Sequence, residues 1–277
     1  MRFQEWQTKN IQVKTYNMDK PDDRNVLRET AAFLAEYASL LSGCGATCIR
    51  IEKNTKRMER AFGVNIDTFI MPAHVSVSVW NTDRTNDVTA LRKTPSCGIS
   101  FNLNTRLSQL SWEVADNSLS LPAAKENFNR IKTTKPTGKW EVLILTSFAN
   151  AAFCRLFGGD LFAMLIVLVS TLAGYRLKQI MLEDGRDVRL TFLCASFFSA
   201  SISAGGHIFN IGSTPELALG TSVLYLIPGV PYINSVSDLL YRHYLCAFSR
   251  FLDAVVLTAC LSVGLCAGML MLGLKWF

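Results

Sequence analysis

The sequence predicts an α-helical membrane protein in which five transmembrane helices, within residues 141–277, follow a cytosolic α+β domain, residues 1–140. Three observations point there. The 277-residue chain is 49% hydrophobic and only 18% charged, with mean hydropathy +0.22, too apolar for an ordinary soluble domain of that size. Its charge is lopsided: residues 1–140 hold 20 Lys+Arg against 14 Asp+Glu, while residues 141–277 hold 8 and 8, so the net +6 belongs to the first part. Long apolar runs, comparable with the roughly 20 residues a helix needs to cross about 30 Å of hydrocarbon, fill the second part.

Met1 to Asn10 is polar and lacks a signal-peptide core, so the first part is expected to stay in the cytosol. Asp22 to Leu41 places apolar residues at helical spacing behind an Asp cap, and Ala46 to Phe62 continues with Ile49, Ile51, Met58 and Phe62. NIDTFIMP, HVSVSVW and DVTALRKT alternate and are rich in β-branched residues, which predicts about three strands joined by short polar turns. Asn104 to Asp116 and Pro122 to Lys132 are helical again, and TTKPTGK at 133–139 is the linker.

The five spans run from about Val142 to Phe157, Leu161 to Leu177, Leu190 to Phe209, Leu217 to Leu240 and Ala247 to Leu274. Short cytoplasmic loops retain Lys and Arg. Span two ends in Arg176 and Lys178, the loop after it adds Arg186 and Arg189, and Arg242 precedes span five, whereas FGGD and HIFNIGSTPE carry no Lys or Arg. The N-terminal region therefore lies inside and the tail, Lys275 to Phe277, outside.

Ionisable groups within a span cost about 2.5 to 3.5 kcal/mol at its centre on insertion scales, so each invites a functional reading. Arg155 and Asp160 flank Gly158 and Gly159, Asp238 closes span four, and Arg250 and Asp253 open span five. In LIPGVPYINSVSDLL, Pro228, Gly229 and Pro231 must break or kink an otherwise apolar helix. Freed backbone at membrane depth is tolerated only inside protein or along a polar cavity, and such discontinuous helices commonly form transport sites. Asn234 and Asp238 follow one turn apart on a shared face. Small residues, Ser196, Ala200, Ser203 and Ala204, Ser170 and Gly174, and Gly264-x-x-x-Gly268, favour close helix packing within the chain over a dedicated dimer seam.

No phosphate-binding loop, nucleophile elbow, HExxH or dinucleotide fingerprint occurs, so neither a cofactor nor ATP-driven pumping is expected. His74, His207 and His243 are scattered, Cys44-x-x-x-Cys48 has no second pair, and no metal is expected. The eight cysteines read as buried thiols. Interleaved acids and the lack of an aromatic-basic motif argue against nucleic acid, and attraction to anionic lipid accounts for the basic excess.

SGCGATCIRIEKNTKRMERAFGV (42–64), FGGD (157–160) and LIPGVPYINSVSDLL (226–240) together resemble the signatures of the threonine/serine exporter (ThrE-like) family, over about residues 25–270. Gly45, Ala46, Arg50, Glu52, Gly158, Gly159, Asp160, Pro228, Gly229, Asn234, Asp238 and Arg250 match its pattern, and Thr47 stands where the pattern has a carboxylate. The resemblance implies an inner-membrane exporter of threonine, serine or C4-dicarboxylates such as succinate. Short members resemble a subunit that works with a small separate membrane protein, in an oligomer. Asp253 joins the proposed substrate pathway by its depth in span five. The competing readings are a membrane-anchored hydrolytic enzyme, with Arg50, Glu52 or His74 at its site, and a non-transporting sensor or scaffold. Neither explains why the irregular polar features fall in the apolar half.

Overall fold

The computed structural model describes residues 21–134, 137–209 and 211–273. The expectations for Met1 to Asn10, part of the 133–139 linker, residue 210 and the tail Lys275 to Phe277 lie outside them. Two compact units emerge: residues 1–46 with 50–131, and residues 47–49 with 132–277.

The first unit begins with α1 (Pro21–Gly43), followed by α2 (Cys48–Arg57) and α3 (Glu59–Phe62), strands β1 (Asn65–Met71), β2 (His74–Trp80) and β3 (Asp87–Lys93), then α4 (Phe101–Asp116) and α5 (Leu121–Lys132). The strands form one antiparallel sheet in sequence order, with Met71 opposite His74 and Trp80 opposite Asp87. Alternation along β2 buries Val75, Val77 and Val79 against α1, whose Leu27, Ala31, Leu34, Ala38 and Leu41 recur at three- and four-residue steps. Phe33 meets Phe128 edge to face at 5.7 Å, and the buried Tyr37 hydroxyl donates to the Leu107 carbonyl at 2.7 Å. Ser100 caps α4 by accepting from the Leu103 amide. The helical stretch expected from Ala46 to Phe62 is divided at Met58 into α2 and α3.

The second unit contains α6 (Lys139–Leu156), α7 (Leu161–Glu183), α8 (Val188–Ile208), α9 (Pro215–Thr221), a 3₁₀ turn (Leu224–Leu226), α10 (Gly229–Leu240) and α11 (Tyr244–Met271). Among the described residues, α7, α8 and α11 are long and apolar enough to cross a membrane, and residues 215–226 with α10 form an apolar pair bent by 58°, the form of either a broken span or a re-entrant loop. α6 stands outside this group because Lys139, Glu141 and Arg155 fall within its 18 residues. Its residues nevertheless follow the reversed amphipathicity of the unit, with Ser147 and Asn150 buried and Leu145, Phe148 and Leu156 exposed. α7 repeats this, with buried Ser170 and Thr171 opposite exposed Leu165 and Val169.

α11 packs along α8. A Cβ at Gly264 would overlap Ser196 Oγ and the Leu193 carbonyl, and one at Gly268 would come within 2.8 Å of Ala200 Cβ, so the GxxxG seam is an intrachain helix contact. All eight cysteines are free, with Cys44, Cys48, Cys154 and Cys246 buried. Cys97 corrects the expectation of buried thiols: it is exposed in the non-helical segment between β3 and α4. Gly264→Ala should lower stability by about 1–3 kcal/mol through overpacking against α8 backbone, read as a lower Tm in detergent. Gly220→Ala, placed in open space, should stay within about 0.5 kcal/mol of the parent.

Candidate functional site

The polar residues hidden in the apolar runs converge in the second unit. Asn150 Nδ2 on α6 donates to Thr171 Oγ1 on α7 at 2.7 Å and to the Thr221 carbonyl at 3.2 Å. That carbonyl ends α9, where the chain leaves α-helical geometry before the 3₁₀ turn. Ser199 Oγ on α8 donates to the Ser170 carbonyl at 3.2 Å and lies 2.9 Å from the Tyr225 hydroxyl. With the serine proton committed to Ser170, Tyr225 is the donor in the second bond. Gly174 makes room for this junction, since a Cβ there would collide with Ser199 Oγ and Tyr225 OH. Ser203, one turn from Ser199 on α8, is fully buried and its hydroxyl has no partner among the described residues. The result is a seam of neutral donors and acceptors enclosed by helices with apolar outer faces.

The break expected in span four is present. The Gly229 amide bonds to the Ile227 carbonyl at 2.8 Å, and Pro228 has φ −79° and ψ 57° before α10 begins. On α10, Asn234 is half-buried, whereas Asp238 is completely buried. Arg250 on α11 donates to Asp238 Oδ2 at 2.7 Å, and the Cys48 amide, within the 47–49 segment that groups with this unit, donates to Oδ1 at 2.8 Å. Both carboxylate oxygens are thereby engaged. Cys48 lies beside Cys246; its thiol is pushed well above the ordinary thiol range by hydrogen bonding to Cys246 and by burial. Asp253 is exposed on α11.

At the FGGD turn, Gly158 adopts φ +91°, a left-handed conformation suited to glycine. Arg155 donates to the Gly159 carbonyl at 3.1 Å. Asp160 caps α7 through the Ala163 amide at 2.7 Å and accepts from the Ser213 amide at 2.6 Å, the Ser213 hydroxyl and the Thr214 hydroxyl. It thus clips the α6–α7 turn to the loop before α9. Asp160 and the Asp238–Arg250 pair form separate groups, with no partner shared among the bonds described. Among the described residues, no three His, Cys, Asp or Glu side chains gather as a metal site.

In the first unit, Gly45 turns the chain between α1 and α2 with φ +88°, Ala46 is buried, Arg50 donates to Asn104 Oδ1 at 3.1 Å, and Glu52 is half-buried. These contacts within the unit hold α2 against α4. Sequence reasoning singled out Ser170, Gly174, Ser196 and Ser203 for packing, but did not single out Asn150, Thr171, Ser199 and Tyr225 as a group. Each apolar run carries two or more Ser, Thr or Asn residues, and nothing local says which of them meet.

A bundle whose polar groups face inward and whose aliphatic and aromatic groups face outward, broken once beside its polar seam, belongs to a polytopic membrane protein. The chain belongs to the family described as "Putative threonine/serine exporter", whose pattern matches residues 32–272. Similar proteins include one from Klebsiella aerogenes named "Probable succinate transporter subunit YjjP", 24% identical over 93% of this chain and 98% of the relative. A protein of the same name from Escherichia coli K12 is 23% identical over 83% of this chain and 90% of that relative. No solved structure matches the chain.

Two predictions follow from the charged groups. Backbone bonding from Ser213, then from Ala163, holds the Asp160 carboxyl below its ordinary value. Its contribution to stability should be present above the unfolded carboxylate value and fade as pH falls through the lower folded value. Asp160→Asn should flatten that acid limb in melting curves recorded across pH. Asp238→Leu would strand Arg250 beside a buried apolar site and should destabilise by about 3–5 kcal/mol, while Asp238→Leu with Arg250→Met should recover much of the loss, as read by thermal unfolding of the three proteins side by side.

Proposed function

We propose that this chain is one subunit of a secondary exporter in the inner membrane. It would carry small hydrophilic metabolites, C4-dicarboxylates such as succinate or threonine/serine-type amino acids, outward together with a small membrane partner of the same family. The observation that carries this reading is the buried hydrogen-bonded seam running beside a helix broken at Ile227–Pro228. Irregular backbone next to internal polar groups offers a small metabolite replacement partners for its water shell. Family membership and the names of the two relatives agree with it.

In this reading α6 is also a span, the first in chain order, which brings the total to five. Its 18 residues reach about 27 Å, and its exposed Leu145, Phe148 and Phe153 suit hydrocarbon. The first unit lies in the cytosol with the Lys/Arg-rich turns, and the C-terminus lies outside. The broken region around Pro228, Gly229 and Asn234 provides the flexible part of the path. Asp238 with Arg250, the clip of Gly158, Gly159 and Asp160, and Asp253 hold or flank it. Gly45, Ala46, Arg50 and Glu52 shape the cytosolic domain that gates entry. The driving force is an ion or proton gradient, in keeping with a sequence that carries no nucleotide-binding motif.

The test is efflux of succinate and threonine from cells lacking this chain, complemented with the parent or with Pro228→Ala and Gly229→Ala combined, with and without the membrane protein that co-purifies with it. Ala restores helical continuity, so the variant should insert at parental levels and export at under about a tenth of the parental rate. Parental efflux from the variant would make the break a structural kink. Full efflux by the chain reconstituted alone would remove the partner from the proposal.

A further inference from the structure

The cations of the second unit differ in how they are satisfied. Lys139 pairs with Glu183, Arg155 and Arg176 bond to Gly159 and Gln179 oxygens, and Arg250 pairs with Asp238. Arg186, Arg189 and Arg242 are exposed. Lys178 on α7 is half-buried, and among the described residues no carboxylate lies within salt-bridge distance of its ammonium and no hydrogen bond engages it. Its Nζ instead lies 5.3 Å from the ring centre of Tyr175 and 4.9 Å from that of the buried Phe192 on α8. The side chain is therefore turned into the bundle. Ring faces stabilise a cation without consuming its three N–H donors.

This ammonium stands at one end of the polar seam. Thr171, Gly174, Tyr175 and Lys178 fall on one face of α7, over about 10 Å of helix. The Tyr175 ring lies 5.8 Å from that of Tyr225, whose hydroxyl meets Ser199. Along antiparallel α8, Phe192, Ser199 and Ser203 follow the same face in the opposite chain direction. Among the described residues, the seam thus leads from a cation with no carboxylate partner, past a tyrosine and a serine hydroxyl, to the buried Ser203 hydroxyl, which has no hydrogen-bond partner. A cation with free donors at one end of a buried polar seam suits an anionic group of a small polar molecule.

We propose that Lys178 binds a carboxylate of the transported metabolite. The assignment rests on the exporter reading above and narrows its substrate class to small carboxylates, with dianions such as succinate depending on Lys178 more than zwitterions, whose own ammonium offsets the carboxylate. A charge-assisted bond at a half-buried ammonium is the strongest single contact such a pathway offers a dianion.

The test uses the full chain with its co-purifying partner in proteoliposomes loaded with succinate or threonine. Lys178→Met should raise the succinate KM about tenfold or more and shift the threonine KM less, while Lys178→Arg should keep the succinate KM near the parental value. Lys178→Cys provides a second readout: succinate should slow its modification by a cationic methanethiosulfonate reagent, and the aminoethyl cation so attached should restore succinate efflux. An unchanged succinate KM in Lys178→Met, with the parent exporting succinate normally, overturns the assignment and leaves the exporter reading intact. If the KM shift appears only in vesicles containing anionic lipid, Lys178 serves lipid phosphate and the assignment falls. If the parent exports neither metabolite, the exporter reading itself falls.

Discussion

Hydrocarbon offers no hydrogen bonds, and the second unit is organised around that constraint. Each polar group carried into the apolar bundle must find its partner inside it. Asn150 answers a carbonyl released at the end of α9, and Ser199 joins a backbone carbonyl to the Tyr225 hydroxyl. The side-chain amide thus completes a bond that a straight helix would have made through its own backbone, while the hydroxyl ties α7 to the 3₁₀ turn. The broken span and the polar seam are therefore one structural solution, since neither would be stable at depth without the other.

Close approach of the helices makes that solution possible. Gly174 leaves the space in which Ser199 and Tyr225 meet, and Gly264 and Gly268 let α11 lie against α8 backbone. Lipid tails are as apolar as leucine, so helices gain little from merely hiding aliphatic groups from them. Small residues instead provide close packing and short polar contacts. In the first unit the ordinary rule holds: Val75, Val77 and Val79 are hidden beneath α1, and polar groups such as the Ser78–Thr89 hydroxyl pair face outward.

Much of this was legible in the sequence, because periodicity and punctuation are local. The valines of HVSVSVW alternate by two and become the central strand, and the proline-glycine pair at 228–229 falls where the chain breaks. Less legible were features that depend on pairing across the chain. Asn150 is one polar residue in an apolar run, and nothing near it in sequence names Thr171 or Thr221 as its partners. Lys178 served only as a marker of orientation, because loop charge and inward-turned charge look identical in one dimension. Asp160 read as one of two ionisable groups, with Arg155, at the first membrane hairpin, yet its partners are supplied 53 and 54 residues later. Of the three charges of α6, Lys139 and Glu141 precede the span expected from about Val142 to Phe157, so the apolar count met only Arg155.

The Asp160 clip has a mechanical consequence. One carboxylate holds both the first turn of α7 and the approach to α9, so these two corners form a single rivet and cannot slide independently while its bonds persist. A lever fixed at one end moves at its most compliant joint. For the chain running from Thr214 through α9 into α10, that joint is Ile227–Pro228, where helical backbone bonding lapses and the axis turns by 58°. The rivet therefore channels bending strain away from the turn and into the joint beside the Tyr225 hydroxyl, so that flexing the axis there loads the seam directly.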